Sequence, residues 1–448
     1  MGAPNTVVDV RKFRRAMELT ADRLLNDAAL PETAAKLVEL LKSKPPGHYF
    51  KGRYGIDEQA EAKERAAFEN PDRIAEVLKG FAAKVRGGRA AVVKQLQTSY
   101  SKPNAPPLDG GTPGQSDGSG DLIPKLILFR EVNGPPLGDP VKRFLTTTYL
   151  EMPTSATATD NLSVWNQWDR PFGQLDASIR SPVIRNVAAE TAVVGSPIKR
   201  SGDHYISAVN VKNADICASF LSRLPSPPYP FDVDIAGARR GEVIFREHCA
   251  VCHRAGNGEV YGFEKIGTDM NRARVLSKEG KSLLLNSFKS AIPADFVATR
   301  PEGGVYMPAT LSDDEIINDR VAPERQGYAA GPLDGVWARA PYLHNGSVPT
   351  LRHLLAPGNP DSQRPAKFVR GSDLYDVKNV GFRWDPAALA ALAADAPTAV
   401  LFDTGWDGAS NRGHQADVVV DGKARRLDWS GPENAEALED LIEYLKTL

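Results

Sequence analysis

The sequence predicts a mainly α-helical fold, and three observations predict it. Helix-period runs fill the first part of the chain, an apolar-striped helix ends it, and the stretch between them is dense in turn residues with no long period. At 448 residues with 42% hydrophobic content, the chain can hold two or three ordinary domains and a sizeable core.

Residues 1–98 form a helical segment in this reading. Val10, Phe13 and Met17 recur at helical spacing, while Thr33 to Leu41 and Glu58 to Phe68 are rich in Ala, Leu, Glu and Lys without an internal proline. A further helix starts at Pro71, with Asn70 as its cap, and runs to about residue 85. Residues 99–122, from Ser101-Lys102-Pro103 to Gly120, are dense in Pro, Gly, Ser and Asp and make a linker. Residues 123–233 are an irregular middle region, with short apolar runs such as Leu126 to Phe129, the pair Trp165 and Trp168, and one short helix at Asn213 to Leu224. A Pro-Ser-Pro-Pro-Tyr-Pro break then precedes a compact domain over 234–448. That domain closes on the helix Pro432 to Leu448, whose Leu438, Leu441, Ile442 and Leu445 form one stripe.

Lys plus Arg (55) and Asp plus Glu (56) nearly cancel, and no basic block suits a phosphate backbone, so nucleic acid is not expected as a partner. No run of about 18 apolar residues occurs, so no membrane span is expected. Three cysteines exclude a disulfide framework. Cys217 has no partner cysteine and no adjacent histidine, which predicts a small buried hydrophobe.

The other two cysteines stand in Cys249-Ala250-Val251-Cys252-His253. Two thiols at this spacing meet the two vinyl groups of one porphyrin edge, and the next imidazole reaches the iron from the same turn. The flanks match neither a strand running into a redox pair at a helix N-terminus nor the second ligand pair of a zinc site. The expected cofactor is therefore one covalent haem c on Cys249 and Cys252, with His253 as an iron ligand. Ala236 to Phe245 make an amphipathic helix running into Cys249. In small c-type cytochromes such a helix crosses the terminal helix through a glycine and an aromatic, for which Gly241 and Tyr444 are the candidates. For the sixth ligand, spacing alone prefers Met307, which follows His253 by 54 residues in a Met-Pro-x-x-Leu-Ser-x-x-Glu phrase, over His344 and His414. Methionine would raise the reduction potential and histidine lower it.

Residues 326–355, and above all Pro341-Tyr342-Leu343-His344-Asn345-Gly346-Ser347-Val348-Pro349-Thr350-Leu351, resemble the bacterial di-haem cytochrome c peroxidase superfamily, closest to the branch of the haem rubber oxygenases. Trp165 to Ile179, Ile266 to Asp269 and Gly408 to His414 agree, so the resemblance covers about 165–448. It implies a cytochrome-c-like haem domain with long irregular insertions. It also implies that His414, in the Asn-x-Gly-His phrase, is the distal ligand of the second haem, with Met307 in ordinary loop packing. The peroxidases proper carry a methionine where Gly358 stands here. His344 then lies beside the ligands or on a face between haems. Trp165 and Trp168 resemble the region of an interhaem tryptophan relay, with aromatic core packing as the alternative, and Arg185 is a candidate for a haem propionate or a carboxylate.

The resemblance further implies a first haem domain with its own Cys-x-x-Cys-His, and this chain has no other such motif. The opening Gly2 to Val10 resembles text that follows a first haem, and no secretory leader precedes it. The expectation is that signal peptide and first haem domain lie upstream of Met1, and that the protein is periplasmic or otherwise exported, because haem c is attached outside the cytoplasmic membrane. Two functions compete: an electron-transfer cytochrome relaying electrons to a redox partner protein or second haem domain, and a haem-dependent oxidoreductase acting on peroxide or an organic substrate. The reactive site in this superfamily is the first haem, so the residues present favour the relay. A structural haem is the plainest third reading.

Overall fold

In the computed structural model, residues 211–274, 326–370 and 408–448 are described continuously. With them go 160, 163–179, 183–187, 374–385, 400–406, the short strands at 198–201, 204–207, 298–299 and 305–307, and parts of 23–43 and 66–79. The expected helix over Glu58 to Phe68, the linker 99–122 and Leu126 to Phe129 lie outside the described residues, or nearly so.

Among the described residues six helices carry the frame: α1 Leu30–Lys42, α2 Val211–Ser222, α3 Ile235–His248, α4 Phe263–Ile266, α5 Leu351–Leu355 and α6 Ala435–Lys446. The first extends three residues further towards the N-terminus than the sequence predicts, because the Asn26 side chain accepts from the N–H groups of Ala28 and Ala29 and starts the turn early. A helical stretch follows Pro71, with the Asn70 side chain accepting from Asp72 and Arg73 N–H as expected of a cap. Ile74 from this stretch packs against Ala34 and Val38 of α1.

The main core lies between α3 and α6. Asp234 caps α3 by accepting from Ala236 N–H at 3.0 Å. The two helices meet where Gly241 has no side chain: a Cβ there would lie 1.9 Å from the Asp440 carbonyl oxygen and 2.9 Å from Tyr444 Cβ. Phe245 and Tyr444 pack beside this point, ring centroids 5.1 Å apart. Gly241 and Tyr444 thus form the crossing anticipated from sequence. The stripe Leu438, Leu441, Ile442 and Leu445 is buried against Phe245, Val336, Tyr342, Val348, Leu351 and Trp429, with removal from water as the driving force.

Among the described residues the connections between helices hold six two-stranded antiparallel pairs. In chain order the strands are β1 Ile198–Ser201, β2 His204–Ser207, β3 Val260–Tyr261, β4 Ala298–Thr299, β5 Val305–Met307, β6 Tyr328–Ala329, β7 Lys367–Arg370, β8 Tyr375–Asp376, β9 Gly381–Phe382, β10 Val400–Asp403, β11 Val418–Val420 and β12 Lys423–Arg425. The sequence reading leaves these stretches irregular, since strands of two to four residues are too short to show a period of two. β7 and β10 bury Phe368 against Phe402, with Ala409 beside them at the start of the loop that leads to His414.

Cys217 departs from expectation: it is exposed. α2 buries Ala214, Ala218 and Ser222, one position per turn, and Cys217 lies off that row beside exposed Ile216.

Candidate functional site

The segment after α3 is set by backbone bonding. Cys249 N–H donates to the Phe245 carbonyl at 2.8 Å as the last helical bond, and Cys252 and His253 N–H both donate to the Cys249 carbonyl, at 3.1 and 3.0 Å. One tight turn therefore gathers the two thiols and the imidazole, and all three line a single cavity of about 240 Å³. Asn257 holds the turn by donating to the Cys252 carbonyl at 2.6 Å. His253 Nδ1 lies 2.9 Å from the Gly331 carbonyl oxygen. A carbonyl can only accept, so the proton sits on Nδ1 and Nε2 keeps its lone pair for a metal.

His414 stands opposite. Its ring faces that of His253 with centroids 6.4 Å apart and planes 25° from parallel. Burial, with His253 and then Arg364 adding to it, pushes its pKa down to about 3, and burial likewise lowers that of His253. Both imidazoles are therefore neutral at ordinary pH, the form that ligates. The His414 backbone is strained: φ is 55° at His414 and 124° at Gly413, where a Cβ would lie 2.9 Å from Thr268 Cβ.

What holds this loop explains the specific phrase at 341–351. Tyr342 and Val348 exchange backbone hydrogen bonds and close a tight loop that contains Leu343 and Gly346 at positive φ. From that loop Asn345 donates to the Gly408 and Ser410 carbonyls, at 3.1 and 2.9 Å, and Ser347 donates to Ser410 at 3.0 Å. His344, also in the cavity wall, stacks on Tyr328 at 4.2 Å and meets Thr268 Oγ1 through Nδ1 at 3.3 Å. Burial takes its pKa down to about 3. Met307 is on β5, paired with Ala298 of β4, and its side chain is outside the described residues.

The donor set fits a haem. Metal–imidazole bonds of about 2.0–2.1 Å, made through an in-plane ring nitrogen from either side of an iron, would put two ring centroids roughly 6 Å apart, the separation found for His253 and His414. Burial pushes the Cys249 thiol up to about 12 and raises Cys252 as well, which disfavours thiolates for redox or zinc chemistry and suits thioethers. Among the described residues no group of three or more His, Cys, Asp or Glu converges on a metal-ion site. Arg170 and Arg339 line the same cavity. Arg170 donates through Nη2 to the Pro332 carbonyl at 2.7 Å, while its Nε is buried without a partner, a match for a propionate carboxylate. A Cβ at Gly331 would lie 2.4 Å from Arg170 Nη1, so glycine there makes room for the guanidinium.

Arg185, singled out in sequence, donates to the amide oxygens of Gln167 and Asn186. Trp165 packs so close to Gly335 that a Cβ there would lie 2.3 Å from its ring. Gly331, Arg170, Arg339 and the loop-holding roles of Asn345 and Ser347 are the features sequence reasoning missed. The signals that were present are the Arg170-Pro171-Phe172-Gly173 phrase and the Asn and Ser of the 341–351 phrase; a main-chain carbonyl acceptor leaves no signal.

Comparisons with known proteins give the type of domain that holds these residues. The family model described as RoxA-like, cytochrome c-like matches residues 327–369, the stretch that contains Gly331, Arg339 and the Tyr342–Val348 loop. A cytochrome c-like domain is present, and such a domain implies haem c. The uncharacterized protein y4iM of Sinorhizobium fredii (strain NBRC 101917 / NGR234) is 40% identical over 436 residues, 93% of this chain and 97% of that protein. The uncharacterized protein y4iJ of the same organism is 27% identical over 340 residues, which are 64% of this chain and 54% of y4iJ. With that identity sustained along nearly the whole of both chains, the protein belongs to the family of y4iM and carries within it a RoxA-like, cytochrome c-like domain.

Proposed function

We propose that the chain is a c-type cytochrome that binds one covalent haem through Cys249 and Cys252, with His253 and His414 as the residues that would hold its iron, and that it works in electron transfer. The observation that carries this is the pair of buried imidazoles, 6.4 Å between centroids, in the wall of the cavity that both thiols also line.

The haem supplies a one-electron iron couple when bound. The rest is the work of this chain's residues. The Gly331 carbonyl keeps the His253 proton on Nδ1 and aims Nε2 into the cavity. Arg170 and Arg339, which line the cavity, would hold the haem carboxylates, and Tyr342, Leu351, Leu354 and Leu445 would keep water from the bound group. Two imidazoles held this way would leave a bound haem no free position for peroxide or dioxygen, which supports relay of electrons to a redox partner protein or a second haem domain. Haem c attachment supports an exported, periplasmic setting. Among the described residues no helix is long and apolar enough to cross a membrane.

The test is the optical spectrum of the purified, haem-loaded chain. The expected result is a low-spin ferric iron unchanged by peroxide, cyanide or carbon monoxide. A high-spin iron that binds those ligands overturns the relay and supports an oxidoreductase instead.

A further inference from the structure

Arg364 is buried, at 8% exposure, and every hydrogen bond of its guanidinium goes to a main-chain carbonyl. Nε and Nη2 donate to His353 and Leu354, at 3.0 and 2.9 Å, which are carbonyls of the last turn of α5 and have no helical acceptor role left to fill. Nη1 donates to Asn411 and Gly413, at 2.5 and 2.7 Å. Among the described residues no carboxylate lies within ion-pair distance. Burial lowers the pKa of this guanidinium, and Asp428 opposes that only from beyond ion-pair distance; burying a cation with no carboxylate in contact is costly, so its presence asks for a role that needs a rigid, planar fork of donors.

That role is visible one bond away. The Gly413 carbonyl belongs to the peptide whose N–H is that of His414, and this N–H donates to the Ile266 carbonyl at 3.1 Å. Arg364 on one end and Ile266 on the other fix the plane of the Gly413–His414 peptide, and with it the direction in which His414 leaves the backbone. Asn345 and Ser347 hold the loop only further upstream, at Gly408 and Ser410. Because α5 is seated in the core through Leu351, at 1% exposure, the fork ties the strained loop to the buried core of the domain.

We propose that Arg364 is the positioning residue for His414, its guanidinium fork locking the Gly413–His414 peptide so that the imidazole is presented to the haem iron. This deepens the ligand assignment above and rests on it. A lysine preserves the charge but places its donors at a single point, so it cannot span α5 and the loop together.

The experiment uses the full, haem-loaded chain with Arg364→Met, Arg364→Lys and His414→Ala, and reads cyanide affinity, ferric spin state and melting temperature. In Arg364→Met the covalent haem is retained, a high-spin fraction appears, and cyanide binds about 10- to 100-fold more tightly, the usual loss when a metal ligand is deprived of its outer support; added imidazole restores the low-spin spectrum. Arg364→Lys moves the same way by a smaller factor. If Arg364→Met lowers only the melting temperature, with cyanide affinity and spin state as in the parent, the residue is merely structural and the proposal falls. Should Arg364→Met fail to accumulate, Arg364→Lys decides by the same two readouts. If His414→Ala turns the iron high-spin while both Arg364 variants stay parental, this inference alone falls; if His414→Ala leaves the spectrum unchanged, the ligand assignment falls and takes this one with it.

Discussion

His253 enters the cavity from the turn that ends α3, five contiguous residues closed by bonds to the Cys249 carbonyl. His414 enters from a loop that makes no such turn of its own, and its backbone is at positive φ with holds from Ile266, Asn345, Ser347 and Arg364. One wall of the site is local and propagates from a helix; the other is assembled from segments scattered over the sequence. The difference teaches that the two proposed ligands should fail separately, the first with its helix and the second with its loop.

The largest effect is expected on the local wall. Replacing Cys249 and Cys252 together with alanine removes covalent haem entirely, read as loss of haem stain on a denaturing gel, whereas no change in the loop around His414 should do so. Retention of stain in the double variant would separate the thiols from haem attachment. Gly241→Val comes next. A Cβ at 1.9 Å from the Asp440 carbonyl forces α3 and α6 apart, and the cost is about 3 kcal/mol or more, at or above the usual upper end for overpacking. Denaturant melts of the loaded chain measure it, and an unperturbed midpoint would contradict the crossing.

Asn345→Ala probes the scattered wall. It leaves the Gly408 and Ser410 carbonyls short of a donor, at a cost of about 1–3 kcal/mol. Haem stain should be unchanged while a high-spin fraction appears. The reverse pattern, lost stain with intact spin state, would mean that the two walls are not separable.

The smallest effect is on acid stability. His353, whose carbonyl Arg364 grips, is buried edge-on to Trp384 at 4.8 Å. Burial holds its pKa down to about 4, with Arg364 and Arg352 adding to the shift and Asp376 opposing it. The unfolded chain, with an ordinary histidine pKa of about 6.5, then binds the proton more readily than the folded one. The contribution of His353 to stability is therefore complete above about pH 6.5 and is lost as pH falls towards 4. Melts at pH 7 and pH 5 should show this loss, and His353→Gln should flatten it; an equal slope in the variant would assign the acid sensitivity elsewhere.

How much of this was legible in the sequence follows the same division. The Cys249–His253 turn, the helix feeding it and the Gly241–Tyr444 crossing depend on near neighbours and a 3.6-residue period, so residue order alone displays them. The stripe of α6 does so as well. His414 was reached through resemblance, not through spacing, which favoured Met307, because loop geometry has no period and its supports come from up to about 150 residues away in sequence. Arg364 has no signal in its neighbours Gln363 and Pro365. Arg185 and Arg170 look alike as buried-arginine candidates, and only the fold shows that Arg170 lines the cavity while Arg185 bonds to Gln167 and Asn186. Cys217 misled because a lone cysteine is usually a small core residue, while the phase of α2 turns this one outward.

The most direct test of the proposed ligation is the ferric spin state of two variants side by side, recorded by low-temperature electron paramagnetic resonance. His414→Ala should convert the iron to high spin while Met307→Ala leaves the low-spin, bis-imidazole signal in place. A low-spin signal surviving in His414→Ala and lost in Met307→Ala, together with a near-infrared charge-transfer band of methionine type in the parent, would contradict it.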